Sequence, residues 1–95
     1  MNMIKVSATS RTAAVAGAIA GVVRDHHRAE VQAIGAGAVN QAVKALILAT
    51  GYLRLDGIRV SCVPEFADVT IDDKIRTAIR LVIEPGQLSN RAKAD

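Results

Sequence analysis

The feature that most constrains this chain is a junction at which an alternating strand pattern gives way to a helix pattern through two glycines. It spans residues 32–45 and reads QAIGAGAVNQAVKA. Gly35 and Gly37 lack the Cβ atoms that would hold a ligand away from the backbone. The free N–H groups at a helix start carry about half a positive charge. The junction therefore predicts a place where the backbone can bind an anion.

Three polar side chains follow on the opening turns of the predicted helix, namely Asn40, Gln41 and Lys44. Residues three and four positions apart are neighbours on a helix surface, so Lys44 is expected to lie beside both Asn40 and Gln41. None of the three is a strong nucleophile or base, so this site is expected to hold a ligand rather than to transform it. The alternative is that the glycines only let helix and strand approach closely, with Asn40 bonding the local backbone.

Hydrophobic periodicity predicts six elements in the order β-α-β-α-β-β. Strands are expected at residues 3–7, 30–34, 58–63 and 75–83, with helices at 11–27 and 36–50 and an acidic, turn-rich segment at 65–73. We expect Thr9 or Ser10 to cap the first helix and Gly51 to end the second. Pro64 is expected to end the third strand or to place it at a sheet edge.

Right-handed crossovers would place both helices on one face of a four-stranded mixed sheet. The predicted fold class is therefore α/β of the two-layer α+β kind, with one domain over residues 1–86 and a flexible C-terminal tail at 87–95. Gly17 and Gly21 lie one helical turn apart, which predicts close packing of the first helix against a neighbour.

Composition narrows the classes of function. Only Tyr52 and Phe66 are aromatic, which argues against the stacking platforms of single-strand binders. The net charge of +3 permits an anionic partner without requiring one. Cys62 is the only cysteine, so no internal disulfide can form, which fits a reducing compartment. The uncharged run at residues 12–23 is too short to span a bilayer. We therefore expect a cytoplasmic protein. A chain of 95 residues has a small core, which favours a homo-oligomer.

The residue inventory predicts no enzymatic activity, no cofactor and no metal. Asn40 occupies the third glycine position of a dinucleotide fingerprint. His26 and His27 are adjacent, so on a helix they would point about 100° apart. The acidic residues Asp68, Asp72 and Asp73 are expected to form a solvated turn, with loose binding of a divalent ion as the alternative.

Two sets of residues are predicted to contact phosphate. Both strand-to-helix junctions should open on one rim of the sheet, so residues of the first junction are expected to converge with those of the second. The predicted rim set is Ser10, Arg11, Gly35, Gly37, Asn40, Gln41 and Lys44. A secondary basic face, on the side of the sheet without helices, comprises Lys5, Arg59, Arg76 and Arg80. The alternative for that face is an ordinary solvated surface whose charges prevent edge pairing.

Four segments resemble the stage V sporulation protein S family. They read KVSA at 5–8, VAGAIAGV at 15–22, IGAGAVNQAVKA at 34–45 and RTAIRLVIEP at 76–85, in order over about residues 4–85. Members of that family are similar in fold to the Alba chromatin proteins, and the junction resembles the start of Alba's second helix. The resemblance implies a homodimeric or homotetrameric regulatory protein that binds DNA or RNA, mostly through phosphate, and acts in sporulation or development.

One segment departs from the Alba pattern. The resemblance implies a basic hairpin between the last two strands as a second phosphate contact, whereas residues 65–73 here include Glu65, Asp68, Asp72 and Asp73. These carboxylates would repel a phosphate backbone. Two alternative functions therefore stay open: a protein–protein assembly module that uses the open sheet face and this hairpin, and a sensor of a small anionic ligand such as a nucleotide.

Overall fold

The computed structural model describes residues 3–86, which form two layers. The elements are β1 (Met3–Val6), α1 (Thr12–His26), β2 (Ala29–Ala33), α2 (Ala36–Leu55), β3 (Val60–Ile71) and β4 (Lys74–Pro85). The strands lie in the order β1-β2-β4-β3; β1 and β2 are parallel, and the other neighbours are antiparallel. The predicted fold class and element order are confirmed. The predicted tail at 87–95 lies outside the described residues.

The core lies between the two helices and one face of the sheet. Its largest fully buried side chains are Ile19, Val23, Val31, Leu53 and Ile83. The buried line of α2 consists mainly of alanines, so α1 and α2 pack closely against each other. Neither aromatic residue of the chain is buried. The core is thus built from small aliphatic side chains, as the composition requires.

The second helix is longer than predicted. It continues through Gly51 to Leu55, and the chain turns at Asp56 and Gly57, where the φ of Gly57 is 75°. Leu53 is fully buried, and burying such a side chain contributes about 1.5–3 kcal/mol. That gain exceeds the cost of about 1 kcal/mol for a glycine inside a helix. The expected helix end at Gly51 is therefore wrong.

The start of α1 also differs from the prediction. Arg11 occupies the N-cap position, and no side chain makes a capping hydrogen bond there. The hydroxyl of Ser10 instead accepts a hydrogen bond from the backbone N–H of Ser7, at 2.9 Å. The predicted cap by Thr9 or Ser10 is wrong, because these hydroxyls stabilise the preceding turn.

The acidic segment is mostly strand rather than loop. β3 runs through Pro64 as far as Ile71. Pro64 is accommodated because β3 lies at the edge of the sheet. Of the two expectations for Pro64, the edge position is confirmed and the strand end is wrong. Asp72 and Asp73 form a two-residue turn with φ of 50° and 64°, the signs of a type I′ turn. Since β2 pairs with β4 only as far as Ile79, residues 67–78 form a two-stranded extension, here called the arm.

The glycines of α1 do not make the expected close contact. No heavy atom lies within 4 Å of a Cβ built on Gly17 or on Gly21. The prediction of tight packing at these positions is wrong for the described part of the chain. Close approach is required instead at Gly37, where an added Cβ would lie 2.9 Å from the Cβ of Ala8.

We expect Gly17→Ala to stabilise the protein by about 1 kcal/mol, because alanine loses less backbone entropy than glycine and has open space there. Thermal unfolding should show a rise in Tm of about 4–8 °C. Gly37→Ala is the matched comparison and should lower Tm, because its Cβ would displace Ala8. A lower Tm for Gly17→Ala would show that another surface packs on this helix.

Candidate nucleic-acid interface

The fold brings both strand-to-helix junctions to one rim of the sheet. β1 and β2 are parallel neighbours, so their carboxyl ends lie side by side. The loop between β1 and α1 contacts the first turn of α2, where Ala8 packs against Gly37. The starts of α1 and α2 are therefore neighbours, and the two junctions converge as the sequence predicted.

Both helix starts leave backbone N–H groups without an intrahelical acceptor. The first intrahelical bonds run from Val39 N to Gly35 O and from Val15 N to Arg11 O, each at 3.0 Å. The N–H groups that precede these donors in each helix have no acceptor within the helix. Neither helix has an acidic residue in its first turn. The positive ends of two helix dipoles therefore face solvent together.

Three of the predicted rim residues have free side chains. Arg11, Asn40 and Lys44 are exposed, and within residues 3–86 none of their side chains forms a hydrogen bond or an ion pair with another residue. Arg11 is the N-cap residue of α1, and Asn40 and Lys44 lie on the second and third turns of α2, after its unsatisfied N–H groups. This arrangement suits a ligand with several anionic oxygen atoms.

The side chain of Gln41 is already bound by other residues of the chain, while its predicted phosphate contact stays a prediction. Its Nε2 donates to the carbonyl oxygen of Ser10 at 2.7 Å and to the hydroxyl of Thr12 at 3.2 Å. The side chain therefore ties the loop before α1 to α2 and positions the two helix starts relative to each other. Ser10 accepts through both its carbonyl and its hydroxyl, so it too helps to hold the loop.

Sequence reasoning missed part of the rim. The hydroxyls of Ser7 and Thr9 lie 3.1 Å apart, and those of Ser7 and Ser10 lie 3.2 Å apart. Ala8, between them, contacts the second junction. The run SATS was a signal for a hydrogen-bonded turn, but nothing in the sequence showed that its alanine would face Gly37.

The secondary basic face is not a cluster of free charges. Lys5 and Arg80 share one row across the sheet, with Gln32 between them and Glu65 beyond. The guanidinium of Arg80 lies 3.8 Å from a carboxylate oxygen of Glu30 and 3.7 Å from one of Glu65. Its charge is therefore largely balanced by carboxylates on the same face.

The other two members of that predicted face lie elsewhere. Arg76 is on the arm, opposite Val69, while Arg59 precedes β3 at the far end of the sheet, where its carbonyl accepts from the N–H of Gly86. The structure does not bring the four basic residues of this set together. The face is also partly bounded by the arm, because Asp68 and Lys5 line one groove of about 860 Å³.

The arm also lies near the rim. Ile71, at its tip, lines a groove of about 340 Å³ together with Ser7 and Ala8. Asp72 and Asp73 directly follow Ile71 in the turn. Carboxylates therefore lie close in sequence to a residue that borders the proposed anion site.

Two groups have shifted pKa values, and neither belongs to the rim. Hydrogen bonds to Glu30 and then to Glu84 raise the pKa of Arg28 above its ordinary value. Burial raises the pKa of the Cys62 thiol, so at neutral pH it stays protonated and is a poor nucleophile.

Across residues 3–86, no three His, Cys, Asp or Glu side chains are arranged to hold a metal ion. Neither α1 nor α2 is long and apolar enough to cross a membrane.

We expect Gln41→Glu to destabilise the protein by about 1–3 kcal/mol, because a carboxylate would face the Ser10 carbonyl where an amide now donates. Asn40→Asp is the matched control: it makes the same amide-to-acid change at an exposed neighbour, where a negative charge near a helix start is neutral or mildly stabilising. Urea unfolding measures both. Equal effects would show that charge, and not the Ser10 contact, sets the stability.

Comparison with known families agrees with the motifs of the sequence. Residues 2–86 match the family described as Stage V sporulation protein S (SpoVS). The match covers every described element, including the two junctions and the arm. This chain therefore belongs to the stage V sporulation protein S family and is a sporulation-related protein.

Proposed function

We propose that this protein is a non-enzymatic, oligomeric nucleic-acid-binding regulator of sporulation or development. The observation that supports the proposal most is the pairing of two uncapped helix starts on one rim, with exposed side chains of Arg11 and Lys44 on the same helices that have no ion-pair partner within residues 3–86. Backbone N–H groups at helix starts and unpaired cations are the groups that bind phosphate. The described rim residues carry hydroxyls but include no histidine, carboxylate or thiol to activate them, which supports binding without turnover.

An extended polyanion suits the rim better than a small enclosed ligand does. Arg11, Asn40 and Lys44 are all exposed, whereas small-molecule sites bury most of the ligand surface. Tyr52 lies near the end of α2 that is far from the rim, and Phe66 on β3 is in register with Ile79 and Ala33, so only one of the two aromatic residues is near this edge of the sheet. The contacts proposed are therefore mostly to phosphate, with DNA or RNA as ligand and little sequence preference.

The arm is expected to limit the affinity. Its acidic residues Asp68, Asp72 and Asp73 are partly offset by Lys74 and Arg76 on the paired strand. Because the arm tip borders the rim, its carboxylates would repel phosphate groups and so raise the free energy of binding a phosphate backbone there. We therefore propose weak to moderate binding, without the basic hairpin contact of Alba proteins.

A protein–protein assembly module is the second candidate function. It is favoured by exposed apolar residues on the hairpin of β3 and β4, where Phe66 is 78% and Ile75 is 73% exposed. A small-anion sensor would use the same N–H groups as the proposed nucleic-acid site, so competition by free nucleotides in the binding experiment distinguishes the two functions. We place all three candidates in the cytoplasm and assign them no cofactor.

Binding should depend steeply on salt. Each phosphate neutralised on duplex DNA contributes about −0.9 to the slope of log affinity against log salt concentration. A dimer that engages Arg11 and Lys44 from each copy should therefore give a slope of about −3 to −4. Fluorescence anisotropy with labelled duplex DNA, and in parallel with RNA, measures this slope. Lys44→Ala should flatten it by about 2, with the fold unchanged, because Lys44 is exposed.

Arg54→Ala is the control for that experiment, because it also removes one positive charge, at an exposed position in the last turn of α2, far from the rim. If Lys44→Ala and Arg54→Ala weaken binding equally, bulk charge and not the rim holds the ligand. If the unaltered protein binds neither DNA nor RNA at low salt, the assembly function takes precedence. If free nucleotides alone compete, the rim is a small-anion site.

A further inference from the structure

A channel runs between the open face of the sheet and the arm. The groove of about 860 Å³ is lined by residues of all four strands, among them Lys5, Glu30, Gln32, Asp68 and Arg80. The groove of about 340 Å³ at the arm tip shares Lys5 and Gln32 with it. The two grooves are therefore parts of one channel, which leads from Met3 at the start of β1 to Ala8 in the loop after it.

Arg80 is held only loosely on the floor of this channel. Its Nε is buried and has no hydrogen-bond acceptor among residues 3–86. Carboxylate oxygens of Glu30 and Glu65 lie 3.8 Å and 3.7 Å from its guanidinium nitrogens, which is too far for hydrogen bonds, and the contact with Gln32 is long at 3.5 Å. Its side chain is 28% exposed, so terminal N–H groups of the guanidinium are available to a ligand.

The floor of the channel presents opposite charges at the period of a strand. Lys5 and Arg80 flank Gln32 in one row across three strands. Glu30 precedes Gln32 by two residues on β2 and so lies on the same face, about 7 Å along the strand. One oxygen of Glu30 binds Arg28 at 2.9 Å, and the other accepts no hydrogen bond from the described residues. A cationic row is thus followed by a carboxylate that can accept a further donor.

We infer that this channel binds an extended peptide segment of another protein, with an acidic and a basic side chain two residues apart. Such side chains lie on the same side of an extended chain, about 7 Å apart, which is the spacing of the charges on the floor. The acidic side chain lies over Gln32 and accepts from Lys5 and Arg80, and the basic one donates to Glu30. From Met3 to Ala8 the channel is about 17 Å long, which suits about five residues.

The charges of the channel favour a peptide over a nucleic acid. Its lining includes two cations, Lys5 and Arg80, and two carboxylates, Glu30 and Asp68. A phosphate backbone carries negative charge only, so the two carboxylates would repel it. A polypeptide can supply both signs of charge, together with backbone donors and acceptors. This site lies on the open face of the sheet, so it goes beyond the proposed function at the rim and does not depend on it.

Nuclear magnetic resonance titration of the ¹⁵N-labelled full chain tests the inference with acetylated, amidated pentapeptides. The probes are Thr-Glu-Thr-Lys-Thr and the reversed Thr-Lys-Thr-Glu-Thr, and the neutral control is Thr-Gln-Thr-Gln-Thr. One charged probe should bind at least about tenfold more tightly than the neutral peptide, because it forms charge-assisted hydrogen bonds. The amide signals of Lys5, Gln32 and Thr70 should shift, whereas that of Asn40 on the rim should not.

Arg80→Gln should weaken binding of that probe by about tenfold or more, because it removes the cation and most donors from the row. Arg59→Gln is the matched control, since it makes the same change at an exposed arginine beyond the far end of the channel, and should leave the affinity unchanged. Circular dichroism checks that each variant folds. If Arg80→Gln does not fold, Lys5→Gln repeats the test at an exposed position of the same row.

Three results would overturn the inference: equal affinity for the charged and neutral peptides, equal losses in Arg80→Gln and Arg59→Gln, or shifts confined to the rim. Single-stranded DNA that shifts the channel signals where the peptides do not would also overturn it, since the channel would then hold a polyanion. Failure of the proposed function is distinct, because a protein that binds neither DNA nor RNA keeps the peptide site. A protein that binds DNA at the rim and no peptide keeps the function and loses this inference.

Discussion

The close contact between Ala8 and Gly37 is the constraint on which the rest of the molecule depends. Parallel pairing of β1 and β2 places two strand ends together, and this contact then brings the following helix starts into register. Gln41 secures the arrangement with hydrogen bonds to the loop before α1. The exposed N–H groups of both helices can be neighbours because position 37 is a glycine. Any larger residue there would collide with Ala8.

Much of the fold was predictable from local periodicity, because a buried face repeats every two residues in a strand and about every 3.6 in a helix. The end of α2 was not, since the burial of Leu53, a tertiary effect, outweighs the local preference of Gly51. The length of β3 was missed for a related reason. Its acidic residues are typical of a loop, yet an edge strand with one solvated face tolerates them.

The candidate site was predictable in its backbone and less so in its side chains. Glycine spacing and parallel topology indicated where the helix starts meet. Whether an amide or a cation is free depends on contacts distant in sequence, such as Gln41 with Ser10 or Arg80 with Glu30. Counting basic residues therefore overestimated the positive charge of the open sheet face, because Glu30 and Glu65 on neighbouring strands balance the charge of Arg80.

Pro64 has a consequence for how copies of this chain can associate. β3 lies at the sheet edge over twelve residues, and such an edge offers N–H and C=O groups to any further strand. Pro64 has no N–H to donate, and the charged Glu65 and Asp68 follow it on the same strand. Strand-by-strand growth is therefore interrupted at this edge. A sheet extended by copies added at this edge would meet the same interruption in every copy, so the edge strand itself works against open fibres.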